Sequence, residues 1–124
     1  MIIGVGTDIC ENKRIRKLVK KYDERFLNKV FTQNEIDYCK RKKNPIPHLT
    51  ARFALKEAFI KALGLSRDLT LSYKDVSLKG NLGKKEIVYQ GKLAEVIKKK
   101  NVTSVTFSIS HAKKYSNALV VLEK

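Results

Sequence analysis

Two carboxylates and a lysine stand in stretches that are otherwise apolar. Glu57 and Lys61 are four residues apart in Arg52-Phe53-Ala54-Leu55-Lys56-Glu57-Ala58-Phe59-Ile60-Lys61-Ala62-Leu63-Gly64, and Asp8 follows the apolar start Ile2-Ile3-Gly4-Val5-Gly6. At about 100° per helical residue, Glu57 and Lys61 share one edge, and Arg52 and Lys56 share another roughly 140° away. A carboxylate and an ammonium group on one face of a buried helix suit a metal or phosphate site. Ser108, Ser110 and His111 form a third polar group at the end of a strand pattern. Each group also has a plainer role by itself. Glu before Lys at this spacing is an ordinary helix-stabilising pair, Asp8 with Glu11 could cap the next helix, and a histidine after Ser-Ile-Ser is commonly a turn residue. The chain has no Gly-x-Ser-x-Gly elbow, which argues against a serine nucleophile.

The elements that must position these residues are legible. Ile2, Ile3, Val5 and Ile9 predict a short buried strand, with Gly4 and Gly6 allowing close backbone approach. A basic helix is expected from Glu11 to Asn28, its apolar stripe formed by Ile15, Leu18, Val19 and Tyr22. Thr32 and Glu35 have capping-box spacing at the start of a second helix ending near Cys39. The basic segment Lys40-Arg41-Lys42-Lys43-Asn44-Pro45-Ile46-Pro47 reads as a loop closed by its prolines. The helix from Arg52 carries too much apolar surface to lie outside the fold, and Gly64 is its natural C-cap. Strands are expected at Leu69–Leu78 and Lys85–Gln90 about a turn at residues 80–83, then a helix at Leu93–Lys100. The strands Thr103–Ser110 and Asn117–Glu123 close the chain as a hairpin. This order makes the fold class α+β, an antiparallel sheet packed against a central helix.

At 124 residues the chain is expected to form one domain, 1–124. With 27 Lys and Arg against 12 Asp and Glu, the net charge of +15 predicts an anionic partner. No apolar run reaches membrane-spanning length and the N-terminus lacks a secretory pattern, so a soluble cytoplasmic protein is expected, with no membrane partner. Cys10 and Cys39 fit no paired metal motif and are expected as reduced thiols; a zinc site formed with His48 and His111 has little support in the spacing.

Three segments together carry a resemblance. Gly4-Val5-Gly6-Thr7-Asp8-Ile9-Cys10-Glu11, Ala51 through Gly64, and Ser108-Ile109-Ser110-His111 with Ala118-Leu119-Val120-Val121-Leu122-Glu123 resemble, in order and spacing, the signatures of the holo-[acyl-carrier-protein] synthase family, the small class of 4′-phosphopantetheinyl transferases. The resemblance spans Ile2 to Glu123. It implies transfer of the 4′-phosphopantetheine arm of coenzyme A to a serine of apo acyl carrier protein, releasing adenosine 3′,5′-bisphosphate, as a step of fatty acid biosynthesis.

Residue by residue, the match makes Asp8 and Glu57 the ligands of Mg²⁺, with Mn²⁺ possible because it favours the same oxygen donors. Lys61 would neutralise the attacked phosphate, and Glu57 or a water on the metal would take the serine proton. His111 matches a phosphate contact to coenzyme A with Ser110 beside it; Gly64 ends the same helical signature. Arg52, Lys42 and Lys43 are assigned to the 3′-phosphate, with the contacting lysine left open.

Acyl carrier proteins are small and acidic, so the basic helix is the expected dock. Arg14, Lys17, Lys21 and Arg25 recur on one side, and Leu18 with Phe26 offers an apolar anchor. The family's small members are homotrimers, which implies a site shared between subunits. The rival reading from charge is a small basic nucleic-acid-binding protein. It lacks an RNP-like or zinc-finger pattern and leaves Asp8 and Glu57 without purpose, so nucleic acid is not expected as a partner.

Overall fold

The computed structural model describes residues 1–65, 71–80 and 84–124. Strand β1 (Ile2–Glu11) leads into helices α1 (Asn12–Tyr22), α2 (Glu24–Val30) and α3 (Gln33–Lys40), then the long α4 (Pro45–Ala62). A short 3₁₀ turn at Tyr73–Asp75 precedes β2 (Val76–Lys79) and β3 (Glu86–Tyr89), followed by α5 (Gly91–Lys99), β4 (Ser104–His111) and β5 (Tyr115–Glu123). The fold is α+β. One antiparallel sheet has the order β1-β5-β4, and β2 pairs with β3 in a separate ribbon. Residues 69–70 of the strand expected at Leu69–Leu78 and residues 81–83 of the expected turn lie outside the described residues; residues 71–75 are not strand, since Tyr73–Asp75 forms the 3₁₀ turn and the strand begins only at Val76.

α4 is the axis of the molecule. Leu49 through Lys56 is buried without interruption, as the apolar content required. Ala54, Leu55, Ala58 and Phe59 pack with Val76, Leu93, Val120 and Leu122, while Leu49 and Phe53 belong to a second cluster with Ile15, Leu27, Phe31 and Ile36. The helix therefore joins two hydrophobic cores. β1 rests directly on it: a Cβ at Gly6 would overlap the Ala58 carbonyl oxygen, and one at Gly4 the Ala62 carbonyl oxygen. Just beyond this same C-terminal end of α4, Gly64 has φ 71°, its N–H donates to Lys61 O at 2.9 Å, and Leu65 N–H donates to Ile60 O at 3.2 Å. That is the paired closing arrangement of a Schellman motif, with Gly64 supplying the left-handed residue.

Several boundaries differ from expectation. The basic segment is two helices, broken at Asp23 (φ 48°, ψ −124°). α1 has no side-chain cap from Asp8 or Glu11. Asn12 begins it and instead clamps the β4–β5 hairpin, donating to Ala112 O at 3.0 Å and accepting from Ser116 Oγ at 2.7 Å. The prolines do not form a separating loop; Pro45 opens α4, a position where its missing N–H costs nothing. β1 is buried on one face only, because Val5 (56% exposed), Ile9 (68%) and Leu119 of β5 (43%) face away from α4. The capping box of α3 forms as expected, with Glu35 N–H donating to Thr32 Oγ1 and Thr32 N–H donating to Glu35 Oε1.

Candidate active site

Asp8 and Lys61 meet where β1 crosses α4. Lys61 Nζ donates to Asp8 Oδ1 at 3.0 Å and to Thr7 O at 3.1 Å. The lysine side chain is 54% exposed and the aspartate 18%, so an arriving substrate can reach the ammonium group while the carboxylate is held. Glu57 lies one helical turn before Lys61 on the same edge of α4. Its Oε1 accepts from Tyr73 Oη at 2.8 Å, a bond that leaves Oε2 outside the Tyr73 contact. Tyr73 was not singled out in the sequence, since its partner lies 16 positions away.

The other charged edge of α4, Arg52 and Lys56, is buried. Lys56 is 1% exposed and its Nζ donates to Glu35 Oε1 at 2.8 Å and to Tyr73 O at 3.0 Å. Burial pushes the Lys56 ammonium down from its usual value, and Glu35 opposes that shift. Glu35 also accepts from Leu78 N–H at 3.2 Å, so one buried carboxylate joins α3, α4 and β2. Sequence spacing reveals the cap but not the ion pair.

Arg52 is equally buried. Its Nη1 donates to His48 O at 3.2 Å and its guanidinium lies 4.3 Å from the centre of the Tyr38 ring, yet its Nε has no hydrogen-bond partner among the described residues. A cleft of about 200 Å³ opens beside it, lined by Tyr38, Lys42, His48, Lys85, Ser110 and His111 among others. Four residues assigned from sequence to coenzyme A (Lys42, Arg52, Ser110 and His111) therefore come together. Lys43 is exposed and does not line the cleft, and neither does Gly64, whose Cβ position has nothing within 4 Å. Ser110 Oγ donates to Asn117 Oδ1 across the hairpin. His48, Tyr38 and Lys85 were not read as phosphate contacts; each falls in a segment with an ordinary helix or strand pattern. Burial raises the Tyr38 phenol, but Lys85, Lys42 and Arg52 together outweigh it and hold the phenol below its usual value. Burial, then His111, Arg52, Lys42 and Lys85, lower His48 from 6.5 to about 4.

A second cleft, of about 320 Å³, lies at the α1–α2 junction and is lined by Leu18, Tyr22, Arg25, Phe26 and Lys29. It brings together three of the residues expected to dock a partner, Leu18, Arg25 and Phe26. Lys17 and Lys21 are exposed outside that lining, and Arg14 stacks its guanidinium 5.5 Å from the centre of the Phe53 ring.

The site has the donors that a hard divalent cation accepts. Asp8 and Glu57 supply only oxygens, and both are partly accessible. Among the described residues no group of three His, Cys, Asp or Glu side chains could hold a metal alone. A metal held here would thus take its remaining oxygens from substrate and water, the usual pattern for magnesium on phosphates.

An α+β fold built on a central charged helix, with carboxylates at one crossing and a basic cleft at the other, agrees with what the sequence matches. Residues 4–120 fit the 4′-phosphopantetheinyl transferase superfamily, and the chain belongs to it. Within that superfamily it is 46% identical over 124 residues to the holo-[acyl-carrier-protein] synthase of Leptospira biflexa serovar Patoc, covering 99% of this chain and 98% of that one. The crystal structure of holo-[acyl-carrier-protein] synthase from Neisseria meningitidis superimposes with a TM-score of 0.89 at 34% identity, covering all (100%) of both chains. The Helicobacter pylori enzyme in complex with coenzyme A gives a TM-score of 0.80 at 32% identity, covering 96% of this chain and 99% of that one. No helix among the described residues is long and apolar enough to cross a membrane.

Proposed function

We propose that this chain is a magnesium-dependent holo-[acyl-carrier-protein] synthase. It moves the 4′-phosphopantetheine arm of coenzyme A onto a serine hydroxyl of apo acyl carrier protein and releases adenosine 3′,5′-bisphosphate. The observation that carries this reading is the Lys61–Asp8 contact one turn from Glu57, at a crossing fixed by Gly4 and Gly6.

Asp8 and Glu57 would hold the metal, Mg²⁺ or Mn²⁺, which would supply charge neutralisation to the phosphates of the donor. Lys61, whose side chain is half exposed, leaves Asp8 for a phosphate oxygen as charge builds on it. Glu57 accepts the serine proton through the oxygen that Tyr73 does not occupy, and the Tyr73 hydroxyl keeps its carboxylate from turning away. Arg52 and Lys42 hold the 3′-phosphate, and His111 with Ser110 holds the phosphates nearer the reaction. The cleft at Leu18, Arg25 and Phe26, ringed by the charges of Arg14, Lys17 and Lys21, receives the acidic carrier: the apolar pair anchors it and the cations steer it.

The uncovered face of Val5, Ile9 and Leu119 supports assembly into a homotrimer in which sites lie between subunits, because such a sheet face is otherwise left to water. The chain acts as one domain in the cytoplasm, where coenzyme A and the carrier meet. The direct test is the mass of apo carrier protein after incubation with coenzyme A, magnesium and this protein. A gain of about 340 Da, one phosphopantetheine arm, is expected; an unchanged mass with a known synthase positive on the same carrier would refute the reading.

A further inference from the structure

The basic cleft contains the chain's whole complement of histidine. There are 2 histidines in the sequence, and the rings of His48 and His111 lie 4.9 Å apart, tilted by 62°. They arrive from different elements, His48 on the first half of α4 and His111 at the end of β4. The groups facing His48 are Lys42 from the segment after α3, Arg52 from α4, Lys85 from the segment before β3 and His111 from β4, with the Tyr38 ring of α3 at 6.3 Å. Among the described residues no carboxylate lines the cleft. Arg52 adds a fully buried guanidinium whose Nε has no hydrogen-bond partner among the described residues. Burying an unmatched guanidinium nitrogen is costly, and so is gathering lysines and imidazoles without a counter-ion. An anion with several acceptor oxygens removes both costs together.

We propose that His48 takes up a proton from solvent when a dianionic phosphomonoester enters this cleft, and that the cleft thereby distinguishes a donor bearing a 3′-phosphate from one lacking it. This rests on the reading of coenzyme A as substrate. Burial first and then the cationic neighbours hold the His48 imidazole neutral, and an entering anion acts on the second of these causes. While the cleft holds only cations, a charged imidazole between them is repelled by each and stays neutral; a phosphate dianion reverses the sign of the field at His48. A monoester phosphate has its second pKa near 6, so near neutral pH it enters mainly as the dianion. A neutral imidazole can offer one N–H, whereas an imidazolium offers both. The gained charge-assisted hydrogen bond is available only with the terminal phosphate in place.

Because the chain has so few histidines, long-range ¹H–¹⁵N correlation spectra of the uniformly labelled full chain resolve both imidazoles. Spectra of His48→Gln and His111→Gln assign them. Titrations would be run without ligand, with saturating coenzyme A, and with saturating dephospho-coenzyme A. Without ligand the His48 midpoint is expected near 4; coenzyme A should return it to 6.5 or higher, and dephospho-coenzyme A should leave it low. In steady-state assays, His48→Gln should reduce the preference for coenzyme A over dephospho-coenzyme A about tenfold, the worth of one charge-assisted hydrogen bond. A His48 midpoint unmoved by bound coenzyme A, or moved equally by both nucleotides, overturns the proposal and leaves the proposed activity standing. Absence of coenzyme A binding together with absence of transfer overturns both.

Discussion

Glu35 closes the first turn of α3 and, with the same oxygen, accepts from Lys56 Nζ at 2.8 Å in the interior. A cap and a buried ion pair therefore depend on one carboxylate. Lys56→Met should lower the unfolding free energy by about 3–5 kcal/mol, because it strands a buried negative charge. The double variant Glu35→Gln/Lys56→Met should recover part of that loss, since no unpaired charge then remains inside. Urea unfolding midpoints for the single and double variants decide it; equal losses would mean that the pair contributes only through packing.

The Tyr73–Glu57 hydrogen bond ties the 3₁₀ turn to the proposed proton acceptor. Tyr73→Phe should reduce kcat about tenfold, the loss of one hydrogen bond to a charged group, with little change in KM for coenzyme A. Its thermal midpoint should stay close to that of the parent. An unchanged kcat would make Tyr73 a packing residue.

Asp8→Asn and Glu57→Gln should each lower turnover by orders of magnitude while leaving circular dichroism unchanged. Lys61→Met should do the same. If Lys61→Met alters only KM for the carrier protein, the lysine docks the partner and does not act on the phosphate.

Docking on the α1–α2 surface should weaken steeply with salt, as the Debye length falls from about 10 Å at 0.1 M to about 3 Å at 1 M. Lys21→Glu and Arg25→Glu should raise KM for carrier protein and not for coenzyme A. Replacing Leu18 with Ser should raise the same constant without altering its salt dependence, a contrast that separates the apolar anchor from the steering charges. Equal effects on both substrates would indicate that the helices shape the site instead.

If neighbouring subunits share a site, Asp8→Asn and His111→Ala chains, each inactive alone, should complement after being unfolded together in equal amounts and refolded. Random mixing in a closed ring leaves about one quarter of sites with both residues intact. Activity near that level, in mixed trimers seen by native mass spectrometry, supports the shared arrangement. Mixed trimers without activity would put both residues in one protomer.

Local chemistry was readable from the chain, and long-range pairing was not. Thr32 and Glu35 announce their cap because its geometry is contained in one helical turn, and the hairpin before Asn117 follows from alternation on both sides. The single basic helix expected to Asn28 fails at Asp23, where a charged residue adopts positive φ with no glycine to mark it. Val5 and Ile9 look like core by composition, yet alternation cannot say whether a second face is covered by the same chain. Asp8, Glu57 and Lys61 stood out as charges in apolar stretches. Tyr73 and His48 did not, since their roles come from neighbours far away in sequence.

The glycine contacts of β1 give the proposed site an unusual mechanical character. With no side chain between strand and helix at Gly4 and Gly6, backbone touches backbone, and the bearings of Asp8 and of the Glu57–Lys61 edge are set by hard contact between main chains. Such a joint has no lubricating layer of rotamers to slide on. In the proposed mechanism the acid groups thus form the anvil, and the adjustments that admit, grip and release substrates would fall to exposed lysine tips and to the imidazoles of the basic cleft.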